Sequence, residues 1–208
     1  MRNLMEVIMQ KTNFFSAKNV ATLGILLALV IVLQAYSLYL RALTFVDLNL
    51  ALVPIVLGAL LLGAGAGAFL GFACGVVVLI QVIMGGNVFY STIWVNSPVV
   101  TTLICLLKTT VAGYVAGIVF KLISKKNKYV ATFVASGLVP LINTILFVIG
   151  CLCMPATIQS MNPDGVNLLV FILVSIVTWN FFIEFAISLL LAPAVHTVVR
   201  VVEKRVGK

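Results

Sequence analysis

LVPIVLGALLLGAGAGAFLGFACGVV, residues 52–77, decides the fold. It sits inside a charge-free stretch that runs from Leu48 to Leu107. A helix needs about 20 mostly apolar residues to cross the hydrocarbon of a bilayer, so this stretch is too long for one helix and must be divided. Glycine divides it. Residues 48–62 form a short apolar segment containing Pro54. Gly63-Ala64-Gly65 can make a tight turn. Residues 66–84 form a further span, ended by Gly85-Gly86-Asn87. Gly63, Gly67, Gly71 and Gly75 recur every four residues, which on a helix makes one nearly flat stripe. Another helix can approach such a stripe closely, gaining dispersion contacts and weak C–H hydrogen bonds.

Working outward, the same reading extends over the whole chain. Of 208 residues, 63% are hydrophobic and 9% charged, whereas a soluble domain is nearer half apolar and a quarter charged. That excludes a soluble globular protein, a disordered chain, a coiled coil and a collagen-like rod. Residues 19–40 read as the first span. The segment 87–97, NVFYSTIWVNS, is aromatic and polar and reads as an interfacial loop. Pro98 suits the first turn of the next helix, and residues 98–123 form the fourth span. KKNK at 125–128 is a sharp break. Residues 129–153 form the fifth span, 154–166 a loop, and 167–199 the sixth span. The expectation is an all-α integral membrane protein, a six-transmembrane-helix bundle over residues 19–199. A basic segment (1–18) and a basic tail (200–208) flank it. Met1–Met9 is mildly apolar and is expected to lie along the membrane surface. No A-x-A site ends the first apolar run, which reads as a retained anchor.

The charges orient the bundle. The net charge of +8 comes from 13 basic and 5 acidic residues. With the N-terminus inside and six spans, the inner segments hold Arg2, Lys11, Lys18, Lys121, Lys125, Lys126, Lys128, Arg200, Lys204, Arg205 and Lys208. The outer loops hold only Arg41, and Lys108 lies inside a span. Cytoplasmic loops of membrane proteins carry this excess, so both termini are expected in the cytoplasm. Five or seven spans would put a basic cluster outside. The charges lie at helix ends and in one loop, not along a stripe, so no nucleic-acid partner is expected.

Polar groups within hydrocarbon are costly and face the bundle interior, a cavity or each other. Lys108 lies about ten residues into its span, roughly 15 Å deep at the helical rise. Glu184 lies midway along the sixth span, with Asn180 one turn above it on the same face. Asn143 is in the outer half of the fifth. Gln34 and Gln81 sit near the outer ends of their spans, and Trp94 and Asn96 lie in the outer loop. Three readings fit: a ligand pocket open to the outside, a structural Lys108–Glu184 pair bridged by asparagines, and a proton relay. Small residues also recur on the fourth span (Thr109, Gly113, Gly117, with Ala112 and Ala116 alongside) and on the first (Ala17, Ala21, Gly24, Ala28). The third-span stripe reads as internal packing. The first-span face suits packing or a partner subunit.

Catalytic patterns are missing from the sequence. There is no H-E-x-x-H, no G-x-S-x-G and no G-x-x-x-x-G-K-[ST]. The single histidine, His196, reads as an interfacial residue. Cys74, Cys105, Cys151 and Cys153 lack zinc-site spacing and read as small apolar packing groups. No enzyme activity, cofactor or metal is expected.

Over residues 17–200 the chain resembles the substrate-binding (S) component of energy-coupling-factor (ECF) transporters for vitamins. The resemblance rests on AKNVATLGILLALVIV in the first span and on the short segment running into the glycine-rich third. It continues through a long outer loop, then LLKTTVAGYVAGIVFKLI, the basic break and GLVPLINTILFVIG. It implies a six-helix fold in a bacterial-type plasma membrane. A water-soluble vitamin would be captured from outside by helices four to six and the first and third outer loops. The component would dock through its first helix on a transmembrane scaffold subunit. Two cytoplasmic ATPase subunits would then drive it to topple within the lipid bilayer. Position by position, Ala21, Gly24 and Ala28 would contact the scaffold, with Gly24 standing where the family usually has alanine. Lys108, Asn143, Asn180 and Glu184 would face substrate, and Trp94 and Asn96 would belong to a lid loop. The lysine suits a carboxylate ligand, which Glu184 nearby could cancel. Asparagines and an aromatic lid equally suit riboflavin or folate. Alternatives from other classes are a self-sufficient secondary transporter and a ligand-free membrane scaffold.

Overall fold

The computed structural model describes residues 16–44, 48–86, 88–162 and 165–206, and among these every regular element is helical. In chain order they are α1 (Ala17–Thr44), α2 (Leu52–Leu62), α3 (Ala64–Ile83), α4 (Val88–Asn96), α5 (Pro98–Ile123), α6 (Lys128–Leu152), α7 (Pro155–Gln159), α8 (Leu168–Val170) and α9 (Thr178–Val206). A π-helical segment, Phe171–Val177, joins α8 to α9. Among the described residues, five stretches are long and apolar enough to cross a membrane: Ala17–Leu40, Ala64–Ile83, Pro98–Ile123, Lys128–Leu152 and Leu168–Val202. The expectation for Met1–Met9 lies outside the described residues.

The division at Gly63 is a hairpin. Gly63 has φ 95°, a conformation that favours glycine. The chain folds back there: a Cβ at Gly67 would sit 2.6 Å from that of Ala59, and Leu70 abuts Gly58. The second element is only 11 residues long, about 16 Å at the helical rise, roughly half of the hydrocarbon thickness. It is buried rather than lipid-facing. Leu52, Pro54, Ile55, Val56, Ala59 and Leu60 all lie in the interior.

The glycine stripe packs backbone against backbone. A Cβ at Gly67 would meet the Gly113 carbonyl oxygen at 2.5 Å, and Cβ atoms at Gly71 and Gly75 would run into the carbonyls of Thr109 and Cys105. Conversely, Gly117 leaves room for the backbone of Ala64. The α3 stripe thus packs on the small face of α5, and Thr109 Oγ1 donates across the seam to the Gly71 carbonyl at 2.6 Å. Gly63 is the turn rather than a member of the stripe.

Two segments read as loops contain helix. The 87–97 segment holds α4, whose Ile93 is fully buried. Thr101 Oγ1 donates to the Ile93 carbonyl at 3.0 Å, and Asn96 Nδ2 donates back to Thr92 at 2.8 Å. Packing on α5 organises this segment, not amphipathic periodicity. The 154–166 segment holds α7, with Pro155 in its first turn, where a missing N–H costs nothing.

The helix directions sort the charges. The α6 and α9 helices run antiparallel, with Gly137 against Phe185 and Tyr129 edge-on to His196 at 5.3 Å. The α1 and α3 helices run parallel, joined by Gln34 and Gln81. Lys18, Lys121, Lys125, Lys126, Lys128, Arg200 and Lys204 therefore gather at one end of the bundle.

Candidate functional site

In the other half of the bundle lies a cavity of about 340 Å³. Its polar lining comes from α1 (Gln34), the chain before α2 (Asn49), α3 (Gln81), α5 (Lys108), α6 (Asn143, Thr144), the π segment (Ser175) and α9 (Asn180, Glu184). Aromatic walls come from Phe89, Tyr90, Phe147 and Phe181. Lys108, Asn143, Asn180 and Glu184 thus share one cavity, and Asn180 and Glu184 present one face of α9.

Each polar group is held by a specific element. Lys108 Nζ donates to Tyr90 Oη at 3.3 Å and lies 5.4 Å from the ring centroids of both Tyr90 and Phe147. Ammonium groups are attracted to aromatic faces within about 6 Å, so α4 and α6 clamp this side chain from two sides. Glu184 Oε1 accepts from the Asn49 backbone N–H at 2.8 Å, tying the chain ahead of α2 to α9. Gln34 Nε2 donates to Gln81 Oε1 at 3.2 Å, and Gln81 Nε2 donates to the Gln34 carbonyl at 3.2 Å. Asn143 is 6% exposed, and its Oδ1 is buried without a hydrogen-bond partner. Among the described residues no three His, Cys, Asp or Glu side chains gather where they could hold a metal.

Trp94 and Asn96 do not line this cavity. Trp94 packs against the main core and Asn96 is exposed. The same short helix instead contributes Phe89 and Tyr90. Sequence reasoning missed these two, together with Asn49 and Phe147. An aromatic residue in a membrane protein carries no special signal, and Asn49 lies in a connection. Gln34 and Gln81 did carry a signal, as amides in apolar spans.

The first-span face is open. Ala21, Gly24 and Ala28 are exposed, and a Cβ at Gly24 would meet no atom within 4 Å. At about 100° per residue they fall roughly opposite Leu26, Val30, Gln34 and Ser37, the buried side of α1.

Comparison with curated proteins gave no match, and comparison with solved structures gave none. The family model described as "ECF transporter, substrate-specific component" matches residues 18–196. That span takes in every residue that lines the cavity, from Gln34 to Glu184, and the chain belongs to the family of substrate-specific components of ECF transporters.

Proposed function

We propose that this chain captures a water-soluble vitamin or related micronutrient from outside the cell and hands it inward as part of an ECF complex. The observation that carries this reading is the cavity. It lies in the half of the bundle away from the basic end, and its volume falls at the small end of the range for ligand pockets. Its lining follows the usual pattern of such sites, aromatic walls with a few convergent polar groups. By the positive-inside rule the basic end faces the cytoplasm. The cavity then opens outward, and both termini lie inside a bacterial-type plasma membrane. The α2 helix completes a six-helix bundle.

In this reading Lys108, Asn143, Asn180 and Glu184 contact substrate, and Trp94 and Asn96 belong to the segment that covers it. The open α1 face at Ala21, Gly24 and Ala28 supports docking on a transmembrane scaffold subunit, with two cytoplasmic ATPase subunits supplying energy.

Reconstitution tests the assignment. The chain alone in liposomes is expected to bind a radiolabelled vitamin but not to accumulate it. Accumulation is expected only with scaffold, ATPases and ATP. Uptake by the chain alone, driven by an ion gradient, would make it a secondary transporter. Failure to bind any vitamin, with a stable scaffold complex, would leave a ligand-free membrane scaffold.

A further inference from the structure

The π segment changes which residues of the last span face the cavity. In a regular α-helix each residue turns the side-chain direction by about 100°. Ser175 stands nine positions before Glu184, so on such a helix the two would point about 180° apart. Both nevertheless line the cavity. The cause is the π hydrogen bonding of Phe171–Val177, in which each N–H reaches back five residues and the turn takes up about one residue more. With one residue absorbed, Ser175 comes within about 80° of Glu184, on the same side of the helix.

The burial of the neighbours reports the same register independently. Ile172 and Leu173 stand twelve and eleven positions before Glu184. A regular helix would aim Leu173 about 20° from Glu184 and Ile172 about 120° away. The structure reverses this. Ile172 is fully buried in a cluster with Ile93, Phe147 and Ile158, whereas Leu173 is 47% exposed.

Side chains of the helix itself hold the wide turn. The backbone N–H and the Oγ1 of Thr178 both donate to the Leu173 carbonyl, five residues back. In an α-helix that N–H would go to the Val174 carbonyl instead. Val174, passed over by the bond, is 60% exposed and takes no part in the cavity wall. Asn180 Nδ2 donates to the Ile176 carbonyl at 3.4 Å, fastening the next turn. Single π turns of this kind are frequent at functional sites.

We propose that Ser175 is a ligand-contact residue, placed on the cavity wall by the π segment. Its hydroxyl can both donate and accept, so it suits a hydroxyl, carbonyl or amide group of the ligand. It lies towards the end of the bundle remote from the basic residues, and meets the part of the ligand nearest the outside. The inference rests on the capture reading above and adds to it a contact and the backbone device that sets it.

Thiol accessibility tests the register without any ligand. Cys153 is exposed and Cys74, Cys105 and Cys151 are buried, so the chain carrying Cys153→Ser, in proteoliposomes, is the background. Ser175→Cys and Leu173→Cys are introduced singly and treated with a charged, membrane-impermeant thiosulfonate. Ser175→Cys is expected to label and Leu173→Cys, facing lipid, to stay unlabelled. A regular helix gives the reverse, and that result overturns the inference. Deleting Val174 sharpens the test. The turn then closes to an α-helix, Ile172 and α9 keep their facing, and Ser175→Cys is expected to turn to lipid and lose its labelling. Unchanged labelling, in a deletion variant that still melts cooperatively, would mean that the π turn does not place Ser175. If the deletion variant fails to fold, the first pair still decides the register.

Contact is read by protection. Biotin, pantothenate, thiamine and riboflavin are each checked for binding to the natural chain by native mass spectrometry, and the labelling of Ser175→Cys is repeated with each at saturation. A vitamin that the natural chain binds is expected to slow the labelling or to lose affinity for the variant. Undiminished binding with unslowed labelling overturns the contact and leaves capture standing. Binding of none of the four overturns the contact together with capture, while the register stands on the labelling.

Discussion

On α3, Gly67, Gly71 and Gly75 lie against the backbone of α5, whereas on α1 Ala21, Gly24 and Ala28 are exposed. The two faces use the same residue types at helical spacing, and neither pattern alone says which is buried. What separates them is the rest of each helix. The α3 stripe finds a second small face in reach, because Thr109, Gly113 and Gly117 recur in the same register on α5. On α1 the interior is already met by Leu26, Val30, Gln34 and Ser37 on the other side. Beside the small residues stand exposed Val20, Ile25 and Val32. Lipid tails are as apolar as leucine, so such a face gains from a partner mainly by close packing. A small-residue face therefore marks close approach, and the opposite side of its helix tells whether the neighbour is internal.

The sharpest way to break the contrast is Gly71→Leu. A Cβ there would lie 2.6 Å from the Thr109 carbonyl carbon and 2.9 Å from the Thr110 Cα. Backbone cannot rotate away as a side chain can, so the cost is expected to reach or pass about 3 kcal/mol, the upper range for overpacking. Size-exclusion chromatography and a thermal melt in detergent should show loss of the folded monomer. Melting like that of the natural chain would mean that α3 and α5 do not approach as described.

Gly24→Leu is the matching change on the other face. Because nothing lies within 4 Å, stability is expected to shift by no more than about 0.5 kcal/mol, as at other sites without internal contacts. Ligand affinity should hold, while ATP-driven uptake by the reconstituted complex is abolished. If binding and uptake fall together, α1 is part of the core and does not dock.

This contrast also marks how far residue order alone carries. Pro98, the KKNK break and the Gly63 turn place helix ends within a few residues of those in the structure, because each has a direct local cause. The meeting of Lys108, Asn143, Asn180 and Glu184 was legible for an energetic reason: lipid leaves such groups few places to go. The α4 helix was not legible. NVFYSTIWVNS mixes β-branched, aromatic and polar residues without helical periodicity, and its conformation depends on Ile93 burying against α5 and on Thr101 bonding its carbonyl. Tyr90 and Phe147 escaped for the same reason, since their importance comes from where Lys108 ends, a tertiary fact. The π segment escaped as well. Its extra residue per turn leaves no mark on composition, yet it brings Ser175, Ile176 and Val177 to the cavity wall.

The finest test of the contrast uses one methyl group at two positions of one helix. Gly65 and Gly67 both lie in α3, two residues apart, and point in different directions. A Cβ at Gly65 meets nothing within 4 Å, whereas one at Gly67 meets the Gly113 carbonyl oxygen at 2.5 Å and Ala59 at 2.6 Å. Gly65→Ala should therefore be neutral or stabilise by up to about 1 kcal/mol, through helix propensity and the lost freedom of the unfolded chain. Gly67→Ala should destabilise, because helix propensity favours it equally while the seam must open. Paired thermal melts of the two variants in the same detergent read the sign. Opposite signs locate the requirement for glycine in the α3–α5 contact. Two equal losses would place it in the flexibility of α3 itself, and the small face of α5 would then need another explanation.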